Sequence, residues 1–224
     1  MANFTAESPK NYEQKCLCVL VLDVSGSMSG QPIDELNRGL IDFYNDIKTD
    51  QTTSNRLEVA IIEFNDTITC RLEPSLIADF SMPTLAASGT TKLVDAVRVA
   101  MAKVQDRKNW YKSTSQAYYR PWIILMTDGA PDNGQDVSGL AGEIHAAIAK
   151  KEFIFFAVGV QGADMNMLKQ ISDSNMPPAQ LQGLKFSAFF QWLSRSMTTI
   201  SHSKDGQSVN LANPASWMQG FAIN

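Results

Sequence analysis

Four stretches of this chain, Cys16 to Leu22, Leu57 to Phe64, Trp122 to Met126 and Phe153 to Val160, are largely apolar on successive residues rather than alternating. A strand apolar on successive residues needs cover on both faces, so these runs predict a mostly parallel sheet between helical layers. Between them apolar positions recur at helical spacing: Ile33, Leu36, Leu40, Phe43 and Ile47; Leu93, Val97, Ala100, Met101 and Val104; Val137, Leu140, Ile144 and Ile148. Two further helices are expected, a short one through Met165, Leu168 and Ile171 after an Asp164 cap, and a last one from Phe186 to Ile200. The run Thr67 to Leu72 follows the second strand after only Asn65 and Asp66, which predicts a hairpin and one antiparallel edge strand. The pattern lapses at 107–120, read as an exposed insertion whose Trp110, Tyr111, Tyr118 and Tyr119 either form a patch or fold back onto the sheet edge. The expected division is an N-terminal extension over 1–14, one α/β domain over 15–201, and a tail over 202–224 packed on it through Trp217.

Composition narrows the functional classes. The 224 residues are 44% hydrophobic and 19% charged, enough apolar material for one large core. Net charge is −4 and no Lys/Arg run occurs, so the basic footprint of a nucleic-acid binder is missing. No apolar stretch approaches the roughly 18 residues that suggest a membrane span, and the polar start MANFTAESPKNYEQK lacks a signal-peptide pattern. A cytoplasmic location away from membranes is therefore expected. The three cysteines form neither an even disulfide framework nor a CxxC pair and are read as reduced.

Chemistry is sought at the carboxyl ends of the strands, where open α/β sheets bind ligands. The first run ends in Asp23-Val24-Ser25-Gly26-Ser27, a carboxylate and two hydroxyls in a loop free to curl. The run Trp122 to Met126 continues Thr127-Asp128-Gly129, placing a second carboxylate at the same end. Between them Thr90-Thr91-Lys92-Leu93 supplies hydroxyls at a helix start. Two carboxylates with hard neutral oxygens suit Mg²⁺, with Mn²⁺ or Ca²⁺ as alternatives.

This set resembles the metal-ion-dependent adhesion site (MIDAS) of von Willebrand factor type A domains: Asp-x-Ser-x-Ser, a distant Thr, a distant Asp. The resemblance implies Asp23, Ser25, Ser27, Thr91 and Asp128 as metal ligands on a Rossmann-like α/β fold. Thr91 is preferred because Leu93 and Ala96 follow it at the family's spacing, with Thr90 as the alternative. Within the family, Leu22 to Met28, Met126 to Asp132, Phe190 to Ser194, Ser201 and Pro214 to Trp217 are similar to the bacterial TerY type, associated with tellurite resistance and stress response. That similarity implies a partner-binding adaptor in a phosphorylation-linked system, with a protein-phosphatase-2C-like phosphatase and a protein kinase as partners.

The expected function is thus binding rather than catalysis, a partner's Asp or Glu carboxylate completing the metal's coordination. Lys92 and Asp132 are candidates for the partner-binding rim, against simple solvation; Asp132 and Asp136 lie near the same face, either supporting the ligands from behind or at the rim or merely solvated, and Ser29 is read as a loop hydroxyl. His145 and His202 share no ligand spacing with each other or the cysteines. The competing reading is a metal-dependent phosphohydrolase, but an Asp nucleophile would want a second acid where Ser25 stands. GxSxG, GxxxxGK[ST] and GxGxxG motifs are all missing.

Overall fold

In the computed structural model, which describes residues 9–204 and 207–219, the apolar runs and the hairpin partner join one six-stranded sheet. The strands β1 (Cys16–Asp23), β2 (Leu57–Phe64), β3 (Ile68–Leu76), β4 (Trp122–Thr127), β5 (Ile154–Gly159) and β6 (Ala179–Gln180) lie in the order β3-β2-β1-β4-β5-β6. Every pairing is parallel except that of β2 with β3. The helices are α1 (Gln31–Lys48), α2 (Gln51–Arg56), α3 (Leu93–Ser113), α4 (Val137–Ala149), α5 (Met165–Ile171) and α6 (Phe186–Ser201).

All of β1 is buried, and its period of two splits it between two cores. Cys16, Cys18, Leu20 and Leu22 face the core built with α1 and α6, while Leu17, Val19 and Val21 face that of α3, α4 and α5. The α1 stripe Ile33, Leu36, Leu40, Phe43 and Ile47 is buried as its spacing predicts. Where α6 crosses α1, a Cβ on Gly39 would stand 2.6 Å from a ring carbon of Phe190, so the close approach requires glycine. Asp164 caps α5, its carboxylate accepting from Asn166 N and Met167 N at 3.0 and 3.1 Å. The hairpin turn is closed by Asn65, whose Oδ1 accepts from Thr67 N at 2.8 Å.

The reading of 107–120 as an exposed insertion is corrected. Helix α3 continues to Ser113, and Tyr111 is completely buried, its OH donating to Glu58 Oε2 at 2.5 Å. Arg107 grips the same carboxylate through Nε and Nη2 at 2.7 and 2.6 Å and lies over the Trp110 ring at 3.9 Å from its centroid. This last stretch of α3 buries hydrogen-bonded polar atoms rather than aliphatic ones, which is why the apolar period fades while the helix does not. Of the two alternatives for the aromatics, the fold-back applies: Tyr118 stacks on Tyr111 at 5.1 Å between centroids. Beyond it, Ala117 O and Tyr119 N bond to both sides of Lys15 at 2.8 and 2.7 Å, joining this segment to the start of β1.

Two elements have no counterpart in the sequence reading. Helix α2 is polar throughout and starts from Asp50, whose carboxylate accepts from Thr53 N at 2.7 Å; β6 is only two residues long. Past α6, Trp217 is buried against Phe156, Phe189 and Trp192. Its carbonyl accepts from Gln182 N at 2.7 Å, and Gln219 N donates to Gln180 O at 2.8 Å, so the tail follows β6. Among the described residues no helix is long and apolar enough to cross a membrane.

Candidate metal centre

The chain builds the sheet outward from β1 to β3 and then crosses back over β1 to begin the other half at β4. The carboxyl ends of β1 and β4 therefore flank the point where strand order reverses, the crevice in which such sheets bind ligands. Asp23 is the last residue of β1, and Asp128 follows directly on β4.

Both carboxylates are withdrawn from solvent, Asp23 at 1% and Asp128 at 9% exposure. Asp23 Oδ1 accepts from Ser25 N at 2.9 Å, which curls the loop back over the strand end. Its Oδ2 accepts from Thr127 Oγ1 at 2.5 Å, a bond from β4 to β1. A second bridge runs through hydroxyls: Ser25 Oγ and Ser27 Oγ stand 3.0 Å apart, and Ser27 Oγ donates to Asp128 Oδ1 at 2.8 Å. Four of the five predicted ligands, Asp23, Ser25, Ser27 and Asp128, are thus brought into one hydrogen-bonded set. Thr91 is buried and approaches from the segment before α3: a Cβ built on Gly129 would lie 3.9 Å from its hydroxyl. Thr90 is exposed.

Burial raises the Asp23 pKa above the ordinary carboxylate value; hydrogen bonds from Thr127 and Ser25 oppose this, and the neighbouring Asp128 charge adds to it. Asp128 is likewise raised by burial, against the Ser27 bond. Among the described residues no Lys, Arg or His forms an ion pair with either acid. Two desolvated carboxylates without a protein cation, flanked by neutral hydroxyls, form a donor set that fits a hard dication. No group of three or more His, Cys, Asp or Glu that could hold a metal gathers among the described residues, the crevice included. A metal at this crevice would rest on two carboxylates and hydroxyls alone.

The rim candidates are placed differently from each other. Lys92 is exposed at the start of α3, its N donating to Asn65 O at 2.8 Å. Asp132 is half-buried and its carboxylate accepts from Thr91 N. Asp136 caps α4 through Gly139 N at 2.8 Å. His145 contacts Ser172 O and His202 contacts Asp50, both away from the crevice. Sequence reasoning missed Thr127, although a hydroxyl closing an apolar strand beside a carboxylate is a detectable signal. It also missed Gln135, which reaches main-chain atoms and leaves no spacing to find.

A Rossmann-ordered α/β domain with an oxygen-lined crevice at its switch point defines the class. The family model of the von Willebrand factor type A domain matches residues 18–183, and the chain belongs to that family. Among solved structures it is similar to the pilus adhesin SpaC of Lactobacillus rhamnosus GG in its open conformation, at 16% identity and TM-score 0.66, covering 86% of this chain and 31% of that one. It is also similar to proximal thread matrix protein 1 of the mussel byssus, at 16% identity and TM-score 0.60, covering 82% and 46%. The PilB minor pilin of Streptococcus sanguinis aligns at 15% identity and TM-score 0.59, covering 84% and 62%. At such identities the likeness is one of fold, and the chain spans less than two thirds of the length of each of these proteins. No curated protein matches the sequence.

Proposed function

We propose that this domain is a protein-binding adaptor that engages an acidic side chain of its partner through a divalent cation, Mg²⁺ first and Mn²⁺ or Ca²⁺ as alternatives, held by Asp23, Ser25, Ser27, Thr91 and Asp128. The observation that carries the reading is the meeting of two buried carboxylates from adjacent strands with no basic partner among the described residues. When bound, the ion supplies an electrophilic position that a partner's carboxylate oxygen can occupy. Asp23 and Asp128 supply the negative charge, while the hydroxyls add donors without adding charge. Thr127 fixes the orientation of Asp23, and exposed Lys92 stands ready for a second acidic group. The sequence similarity to the TerY type supports a cytoplasmic, phosphorylation-linked tellurite-resistance or stress-response setting, with a phosphatase of the 2C type and a protein kinase as partners. An adhesin among the structural neighbours is in keeping with a binding role.

Binding is preferred to phosphoester hydrolysis because Ser25 stands where a second acid would serve an Asp nucleophile, and its hydroxyl is engaged with Ser27. A ligand present at about 100 times its dissociation constant stabilises the fold by about 2.7 kcal/mol. For a chain of this size that raises the melting temperature by about 5–10 °C. Mg²⁺ should produce such a shift in the wild type and none in Asp23→Ala, and partner capture should cease with chelator. Unchanged Mg²⁺ binding by Asp23→Ala would refute the site; phosphoester turnover lost in that variant would favour the hydrolase.

A further inference from the structure

The segment that carries Thr91 has no regular structure of its own between the 3-10 turn at Ile77–Asp79 and the start of α3. A hydroxyl on such a segment is a poor ligand unless something outside it fixes its position, because ordering it on binding costs conformational entropy. That support comes from the loop between β4 and α4. Thr91 N donates to both carboxylate oxygens of Asp132 at 3.1 Å. Thr91 O accepts from Asp132 N at 3.1 Å and from Gln135 Nε2 at 2.5 Å. Both polar atoms of the Thr91 main chain are therefore held by residues 132 and 135.

Gln135 has a second attachment. Its Oε1 accepts from Val94 N at 2.8 Å, one of the first-turn donors of α3 that Lys92 at the cap position leaves without a side-chain acceptor. The loop is anchored at both ends, by Asp128 leaving β4 and by Asp136 capping α4, and Arg98 of α3 reaches Asp136 at 3.2 Å and Glu143 at 2.9 Å. The position of Thr91 relative to Asp128 is thus set by one loop that carries Asp128 itself.

We propose that Asp132 and Gln135 are positioning residues that hold Thr91 in place as the third hydroxyl of the centre, so that metal affinity depends on main-chain contacts outside the ligand set. This rests on the metal-binding reading above. Of the roles open to Asp132, rim or support behind the ligands, it takes the second. Its carboxylate acts as a hydrogen-bond acceptor for Thr91 N, so an uncharged acceptor of the same shape should serve.

The test is Mg²⁺ titration by calorimetry on the whole chain, with melting temperatures in chelator as a separate measure of folding. Removing groups that orient metal ligands typically weakens metal binding by about 10–100-fold. Asp132→Ala and Gln135→Ala should each fall in that range, and Asp132→Asn, which retains an acceptor for Thr91 N, should stay within about threefold of the wild type. Amide hydrogen exchange at Thr91 in chelator, which needs no metal, should speed up in Asp132→Ala and not in Asp132→Asn. Alanine variants that lose thermal stability but bind Mg²⁺ as the wild type does would overturn the proposal and leave the metal site standing. Asp132→Asn binding as weakly as Asp132→Ala would overturn it in favour of a charge effect. A wild type that takes up no Mg²⁺ would overturn the metal reading and this inference together.

Discussion

Replacing Tyr111 by phenylalanine tests whether the end of α3 belongs to the core. The hydroxyl donates to Glu58 Oε2 at 2.5 Å in a fully buried setting, and Arg107 Nε serves the same oxygen at 2.7 Å. A hydrogen bond to a charged group contributes about 1.5–3 kcal/mol. Arg107 remains in Tyr111→Phe and the ring packing is kept, so the loss belongs at the low end, about 1.5–2 kcal/mol. Glu58→Ala is harsher, because it strands the phenol and a guanidinium whose side chain is only 15% exposed; breaking such a pair costs about 3–5 kcal/mol. Urea denaturation followed by circular dichroism should show both midpoints lowered in that order with unchanged slope. Alkaline pH provides a second measurement. Burial first, and then the Glu58 charge, hold the Tyr111 phenol well above its ordinary value. A phenol raised in the folded state stabilises the fold fully below its unfolded pKa of about 10 and loses that stabilisation as pH climbs through the folded value. The gap between wild type and Tyr111→Phe should therefore close above about pH 10. A Tyr111→Phe unfolding free energy within about 0.5 kcal/mol of the wild type, the outcome for an exposed surface position, would refute the reasoning.

Trp217 packs against Phe189, Trp192 and Phe156 with its Nε1 buried and unpartnered among the described residues. Trp217→Ala should cost about 3–5 kcal/mol and expose the tail to limited proteolysis, whereas Trp217→Phe, which keeps a ring and removes the unpaired N–H, should cost less than about 1.5 kcal/mol. Asp50 is held down to about 2 by hydrogen bonds from Thr53, side chain and then main chain, with His202 adding to them. Since its side chain is 33% exposed, solvent screening limits the cost of Asp50→Ala at neutral pH to about 1 kcal/mol. A carboxylate lowered in the folded state contributes above its unfolded pKa of about 3.9, so urea midpoints of variant and wild type should converge as pH falls toward about 2.

The parts of the fold legible beforehand are those whose burial is apolar. Strand β1 could be read because both its faces are covered, and α1 because one stripe is. Where burial is satisfied by hydrogen bonds, hydrophobic periodicity carries no signal: Tyr111 and Arg107 on α3 close around Glu58 of β2, a partner 53 residues from Tyr111 in the chain. Helix α2 was hidden for a related reason, since its only marker is the Asp50 cap on Thr53. At the candidate metal centre the proposed ligands were legible as oxygen-bearing side chains at strand ends and, for Thr91, at a helix start. The supports were not, because Asp132 and Gln135 bond to main-chain atoms of Thr91 and Val94, and a main-chain target leaves no side-chain pattern to match.

The two poles of the sheet treat buried charge in opposite ways. At the amino end, Glu58 is answered by a bidentate Arg107 and a phenol, Glu13 by Arg56 at 2.8 Å, and the buried Lys15 ammonium by the carbonyls of Asn11, Glu13 and Asn55. At the carboxyl end, Asp23 and Asp128 receive, among the described residues, only hydroxyl and main-chain donors, and each is raised by burial. The same chain that pairs Glu58 so fully could have set an arginine against Asp23 and gained stability by it. Such an arginine would occupy the crevice and remove its attraction for any other cation. Leaving two desolvated acids uncompensated costs folding free energy, a cost that a bound cation would offset under the proposed function. It is this asymmetry between the poles, rather than the modest net charge of −4, on which the proposed binding at the carboxyl end rests.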